Sequence, residues 1–205
     1  TKDIPKPMAP VGDIPMIRHL IEIYRRQGIK DFVLALGYKQ EVFKRYFTDL
    51  MHSYGDIEMN FSRGSIVQLD SQSQDFTVKL INTGHSSLTG TRLGKLRNHI
   101  SSDVFHITYG DGLSDVPIND VHKLHLKNET TLTITAVRPP ARFGELDIDP
   151  SGIVGSFVEK PQMAQGWING GFMVASKQIF NFLNDSEDEM FEQGPMNRLL
   201  DAGMM

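Results

Sequence analysis

The sequence predicts an α/β fold, a mixed and mainly parallel sheet flanked by helices, on three observations. Short apolar or β-branched runs alternate with segments of helical periodicity along the chain. One of those runs, Asp31 to Leu36, is continuously apolar after its first residue, as a strand buried on both faces of a parallel sheet requires. Another, Val104 to Thr108, ends in Tyr109-Gly110-Asp111-Gly112, which puts a carboxylate at a strand's carboxyl end, where open α/β sheets bind ligands.

The elements follow in order. Three prolines within Pro5 to Pro10 remove backbone donors and predict a loop. From Pro15, the spacing of Ile17, Leu20, Ile21, Ile23 and Tyr24 predicts a helix to Gln27, stopped by Gly28. The strand at Asp31 to Leu36 is followed by a helix over Gln40 to Met51. Phe76 to Ile81 alternates as a strand, Leu93 to Ile100 reads as helical, and Val104 to Thr108 as a strand. A helix is expected over Val116 to Lys127, with Asp115 as its N-cap. Strands at Thr130 to Val137, Ile153 to Glu159 and Asn169 to Val174 complete the sheet. Helices at Lys177 to Leu183 and Met196 to Leu200 complete the flanks.

The chain has 205 residues, enough for one domain with a sizeable core. With 21 Lys plus Arg against 25 Asp plus Glu and no basic run, it lacks the electrostatic footprint of a nucleic-acid binder. No apolar run approaches the ~18 residues of a membrane span, so no membrane partner is expected. With no cysteine, disulfides, thiolate metal sites and a cysteine nucleophile are excluded, and a reducing, cytoplasmic setting is expected. No Gly-x-Gly-x-x-Gly or Walker-type run occurs, which weighs against a dinucleotide dehydrogenase and a P-loop enzyme.

Asp111, between two glycines, offers the hard oxygen that Mg²⁺ prefers, or else is the Asp of an ordinary Asp-Gly turn. Lys6, stiffened by Pro5 and Pro7, is either a held cation suited to a polyphosphate or a solvated surface lysine. Glu159 and Lys160 point to opposite sides of a strand end, where they can grip two parts of one ligand or sit in solvent. Asn169-Gly170-Gly171 can bring an amide and bare backbone to the same ligand, or mark a bulge. Gly90-Thr91-Arg92 can bring a guanidinium near phosphate, or Arg92 is a solvated arginine at a helix start. His122 and His125, spaced i, i+3 among lysines with no third ligand, are expected at the surface, while Trp167 can stack on a ligand with Phe143 or, more commonly for such a residue, be buried in a core or oligomer interface.

Lys6-Pro7-Met8, Gly37-Tyr38-Lys39, Thr83-Gly84 through Ser86-Ser87 to Thr89-Gly90 and Arg92, and Tyr109-Gly110-Asp111-Gly112 together resemble the sugar-1-phosphate nucleotidyltransferases. The likeness continues through Arg142-Phe143-Gly144, Glu159-Lys160-Pro161 and Ile168-Asn169-Gly170-Gly171. Thr-Gly-x-Ser-Ser-x-Thr-Gly and Arg-Phe-Gly are similar to the branch that uses CTP and glucose 1-phosphate to give CDP-glucose and pyrophosphate. The resemblance implies a Rossmann-like nucleotidyltransferase fold, Mg²⁺ held by Asp111, and nucleotide phosphates bound by Lys6 and Arg92 as catalytic cations. It implies nucleotide contacts from Thr83, Gly84, Ser87, Thr89, Gly90 and Gly110. Sugar-phosphate contacts would come from Gly144, Glu159, Lys160, Asn169 and Gly170. It also implies a homo-oligomer. The alternatives are a sister enzyme using dTTP or UTP, or a non-catalytic nucleotide-sugar binding protein. Family members carry a strand and a Gly-x-Gly-Thr-Arg loop before the Lys-Pro-Met segment and a second metal-binding Asp later on. The expectation is therefore one domain over residues 1–205 lacking both, with unpaired backbone groups costing about 1–3 kcal/mol each.

Overall fold

Residues 4–69, 74–139, 145–158, 166–184 and 188–205 are described by the computed structural model. The proline-rich start is a 3₁₀ turn at Lys6–Met8, whose Met8 is buried and anchors it. A short antiparallel pair follows, β1 (Pro10–Val11) with β2 (Ile14–Pro15). Pro15 then caps α1 (Met16–Arg26), as its preset φ and missing donor suit a helix start. Ile17, Leu20, Ile21 and Tyr24 form its buried stripe.

β3 (Asp31–Leu36) and α2 (Gln40–His52) come next, then a hairpin of β4 (Ile57–Asn60) and β5 (Ser65–Gln68). β6 (Thr77–Asn82) returns to lie parallel to β3, with Phe32 opposite Val78 and Leu34 opposite Leu80. α3 (Thr89–Lys95), β7 (Val104–Thr108), α4 (Ile118–Asn128) and β8 (Leu132–Val137) follow. A second hairpin joins β9 (Glu145–Ile148) to β10 (Val154–Val158). β11 (Ile168–Ser176) runs antiparallel to β7 on one side and β8 on the other, so those two share a direction. A 3₁₀ segment (Lys177–Phe182) and α5 (Gly194–Asp201) close the chain.

β3 and β7 also point the same way. At their amino ends, Lys79, opposite Val33, donates to the carbonyl of His99, a few residues before β7. At their carboxyl ends, Thr89 on α3 and Tyr109 after β7 meet on one carboxylate, while Arg92 of the same helix lies over Gly37 after β3. β3 and β6 thus form a two-stranded parallel sheet and β7, β11 and β8 a three-stranded antiparallel one, with four of the five strands running one way and β11 the other, an α/β arrangement of mixed strand directions as the alternation of the sequence predicts. Among the described residues, β3 pairs only with β6, and β7 only with β11. Their other edges border a cavity of about 850 Å³ lined by residues of both strands.

Two apolar clusters flank the sheet, and β11 divides them because alternate side chains face opposite ways. Phe172 joins Leu20, Tyr24, Leu36, Phe43 and Ile118, whereas Met173 and Ala175 join Leu132, Ile179, Met196 and Leu199.

Several expectations need correction. α4 starts at Ile118 behind Pro117, so Asp115 does not cap it. α3 begins at Thr89 rather than Leu93, because its first amides find partners on a distant segment: Gly90 and Thr91 both donate to the carbonyl of Glu189. The segment after β11 is 3₁₀ rather than α. The β4–β5 hairpin and β9 escape the sequence pattern, since they carry apolar side chains such as Ile66, Val67, Leu146 and Ile148 in exposed positions, whereas β10 falls on the strand expected at Ile153 to Glu159. His125 is buried at 2% exposure with Nδ1 on Thr133 Oγ1 at 2.9 Å, and His122 stacks on His106 with ring centroids 5.3 Å apart. Their helix face lies against β8 and β11, not solvent. Trp167 is 62% exposed, beneath the Arg138 guanidinium at 4.4 Å.

Candidate active site

The carboxyl ends of β3 and β7 collect most of the described candidates. Lys6 and Asp111 approach within 3.6 Å, Nζ to carboxylate oxygen, with 75% and 44% of their side chains exposed. A pair so exposed is worth little as stabilisation and leaves both groups open to a charged ligand. Pro7 sets this approach: a Cβ on Gly110 would meet Pro7 Cγ at 2.9 Å, so only glycine lets the Lys6 turn lie on the Asp111 turn.

Arg92 is held from below. Its Nη1 donates to Thr83 Oγ1 at 2.8 Å, and Nη2 reaches the His85 carbonyl at 3.4 Å. Thr83 is fully buried, and its hydroxyl donates to the Leu36 carbonyl at 2.9 Å. That hydroxyl therefore orients Arg92, with its proton already committed to β3. The Thr83 carbonyl accepts from Lys95 Nζ at 2.8 Å and Ser87 Oγ at 2.7 Å, and Lys95 also donates to Ser87. The Gly84 amide donates to Asn82. The Thr83 to Gly90 stretch is thus a braced loop that presents main chain around Arg92.

Thr89 Oγ1 donates to Glu192 at 2.7 Å and accepts from the Phe191 amide at 2.8 Å. The Gly90 amide is committed to Glu189. Tyr109 Oη donates to the other oxygen of Glu192 at 2.6 Å and accepts from Asn169 Nδ2 at 3.3 Å. Asn169 Oδ1 in turn accepts from the Gly171 amide at 2.8 Å, so the Asn169-Gly170-Gly171 turn is closed on itself. Burial pushes Glu192 up, but donation by Tyr109 and Thr89 outweighs it and holds the carboxyl below its usual range. Burial, and then the Glu192 carboxylate, push the Tyr109 phenol well above its ordinary value.

Lys6, Arg92, Asp111, Thr83, Gly84, Ser87, Thr89, Gly90 and Gly110 therefore gather at one end of the sheet, and Asn169 and Gly170 join them through Tyr109. Gly144, Glu159 and Lys160, with Arg142 and Phe143, lie outside the described residues. Tyr109, Glu192 and Lys95 were not foreseen. Tyr109 lies inside a motif read for its Asp, and Glu192 meets its partners Thr89 and Tyr109 only across separations of 103 and 83 residues in the chain. Among the described residues, no group of three His, Asp or Glu side chains could hold a metal unaided. A single exposed carboxylate still suits Mg²⁺, which takes one or two protein carboxylates and completes its shell with water and phosphate oxygens. Asp111 fits that requirement. No helix among the described residues is long and apolar enough to cross a membrane.

Residues 1–202 match the family described as "Nucleotidyl transferase". The chain is 37% identical over 203 residues to "Glucose-1-phosphate cytidylyltransferase" of Salmonella typhi, covering 97% of this chain and 77% of that protein. It is 34% identical over 203 residues to the Bacillus subtilis (strain 168) protein named "Probable glucose-1-phosphate cytidylyltransferase", covering 99% of this chain and 79% of the other. Among solved structures, HddC from Yersinia pseudotuberculosis superposes with a TM-score of 0.63 at 26% identity, over 93% of this chain and 75% of that one.

Proposed function

The chain belongs to the nucleotidyl transferase family, and from that premise we propose that it joins CTP to α-D-glucose 1-phosphate, forming CDP-glucose and pyrophosphate. The observation that carries the reading is the convergence of Lys6, Arg92 and Asp111 at one end of the sheet. The naming of relatives at 34% and 37% identity supports CTP and glucose 1-phosphate as the pair.

A phosphate oxygen of the sugar phosphate attacks the α-phosphorus in line, the new O–P bond forms as the bond to the β-phosphate oxygen breaks, and pyrophosphate leaves. No protein nucleophile is needed, so the chain contributes positioning and positive charge. Arg92, oriented by Thr83 and His85, and Lys6, stiffened by its prolines, neutralise phosphoryl oxygens as charge shifts toward the leaving group. Asp111 holds Mg²⁺, which when bound neutralises triphosphate charge. The Thr83, Gly84, Ser87, Thr89, Gly90 loop lies along the base and ribose, with Gly110 against the phosphates. Selection of cytosine there needs an acceptor aimed at its exocyclic amine, which donates where uracil accepts. Gly144, Glu159, Lys160, Asn169 and Gly170 hold the sugar phosphate. Cytoplasmic placement and self-association belong to the same reading, and light scattering on the purified protein tests the second.

The test is pyrophosphate release with glucose 1-phosphate and each of CTP, UTP, dTTP and GTP. A catalytic efficiency highest for CTP is expected; equal or higher efficiency with another triphosphate overturns the nucleotide assignment. Asp111→Asn is expected to abolish Mg²⁺-dependent turnover while leaving the circular dichroism unchanged.

A further inference from the structure

A segment from late in the sequence is strapped across the first turn of α3. Asp188 accepts from the Leu88 amide at 2.8 Å, and the Glu189 carbonyl from the Gly90 amide at 2.9 Å. The Glu189 amide donates to Thr91 Oγ1 at 3.0 Å, and the Phe191 amide to Thr89 Oγ1 at 2.8 Å. The strap does not float: the Glu189 carboxylate accepts from the Asn184 amide at 2.7 Å and from Arg198 of α5 at 2.8 Å, and Phe191 is buried at 3% exposure. Glu192, at its end, reaches over the cavity with one oxygen on Thr89 and the other on Tyr109, which carries Asn169.

A carboxylate using both oxygens on hydroxyls from two different elements sets the distance between them. Here the elements are α3 on one side and the β7–β11 strand ends on the other. In the reading above, on which this inference rests, the first side carries the nucleotide, and on the second the Asn169 turn of β11 carries the sugar phosphate. We propose that Glu192 is a positioning residue that holds the nucleotide loop at Thr89 and the sugar-side turn at Asn169 in mutual register, acting through Tyr109. It touches neither substrate. It sets the separation of the two reacting ends, on which an in-line transfer depends steeply.

The experiment compares Glu192→Ala, Tyr109→Phe and the parent in steady-state pyrophosphate release, varying each substrate in turn. Tyr109→Phe removes the phenol that joins Glu192 to Asn169 and leaves the Thr89–Glu192 bond in place. It is expected to raise the sugar-phosphate KM about ten-fold with the triphosphate KM within about two-fold of the parent. Glu192→Ala is expected to raise both KM values about ten-fold and to lower kcat as well, and Glu192→Gln, which keeps the length and one acceptor, to recover part of the loss. A merely structural Glu192 lowers the melting temperature with both KM values unchanged, and that result overturns the proposal. So does a Tyr109→Phe protein in which the two KM values rise together. If the parent prefers another triphosphate or sugar phosphate, the function proposed above fails, while the same split is read on the pair it does use. A parent that binds no nucleoside triphosphate by calorimetry overturns both.

Discussion

Gly37→Ala displaces the Arg92 guanidinium without removing its charge. A Cβ built on Gly37 would lie 2.7 Å from Arg92 Cζ and closer still to both terminal nitrogens, so the two cannot coexist. The backbone tolerates alanine, because Gly37 is not among the residues with positive φ. The side chain gives way, and an off-rotamer arginine costs about 0.5–1.5 kcal/mol. Against this, alanine restricts the unfolded chain and returns about 0.4–1 kcal/mol, so the melting temperature should move by only a few degrees. Function should move much more. Displacing Arg92 breaks its bond to Thr83 and carries the cation off the nucleotide side. Loss of one charge-assisted hydrogen bond to a phosphoryl oxygen costs about 1.5–3 kcal/mol, a fall of roughly 10- to 150-fold in kcat/KM for the triphosphate. The assay is pyrophosphate release at saturating sugar phosphate with the triphosphate varied, alongside circular dichroism. A folded Gly37→Ala protein with parental kcat/KM refutes the role given to Arg92, and a protein that fails to fold refutes the claim that only the side chain yields.

Three further outcomes follow from the same structure. Leu199→Ala empties a fully buried position beside Ile179 and Met196, and should lower unfolding free energy by about 2–5 kcal/mol in urea titrations. Arg198→Ala removes the partner of Glu189, which is 14% exposed. It should cost about 1–3 kcal/mol by the same measurement, and more than loss of the exposed Lys123–Asp120 pair, for which Lys123→Ala should cost less than about 1 kcal/mol. The third outcome concerns pH. Burial, then the neighbouring His122 and His125, lower His106 to about 4, and burial lowers His125 as well. The unfolded chain binds these protons near pH 6.5 while the folded chain resists them, so stability is full above about 6.5 and falls as pH drops toward 4. With a shift from 6.5 to about 4, the loss for His106 is about 3 kcal/mol at most. His106→Phe should flatten that part of a stability-against-pH curve, and an unchanged slope would count against the assignment.

Much of the framework was legible in one dimension. Val104 to Thr108 and the helices at residues 16–26 and 40–52 declare themselves, because burial on one or two faces imposes a repeat that local sequence displays. The motif residues were legible because phosphate chemistry needs particular atom types, a lysine held by prolines and a carboxylate between glycines. What escaped depends on partners far away in the chain. α3 starts early because residue 189 satisfies its amides, roughly a hundred positions on, and His125 is buried because β8 covers its helix face. Neither fact leaves a periodic trace.

Residue order alone therefore settled the alternation of strands and helices, the charge types available, and the family whose motifs they form. Only the folded chain decided that Thr83 spends its hydroxyl on β3 and Arg92, that Lys6 meets Asp111, and that Glu192 spans Thr89 and Tyr109. The reason is directional. A hydrogen bond forms over about 3 Å between defined donors and acceptors, and segments separated by a hundred residues acquire that distance only once the sheet and its two cores have set their positions.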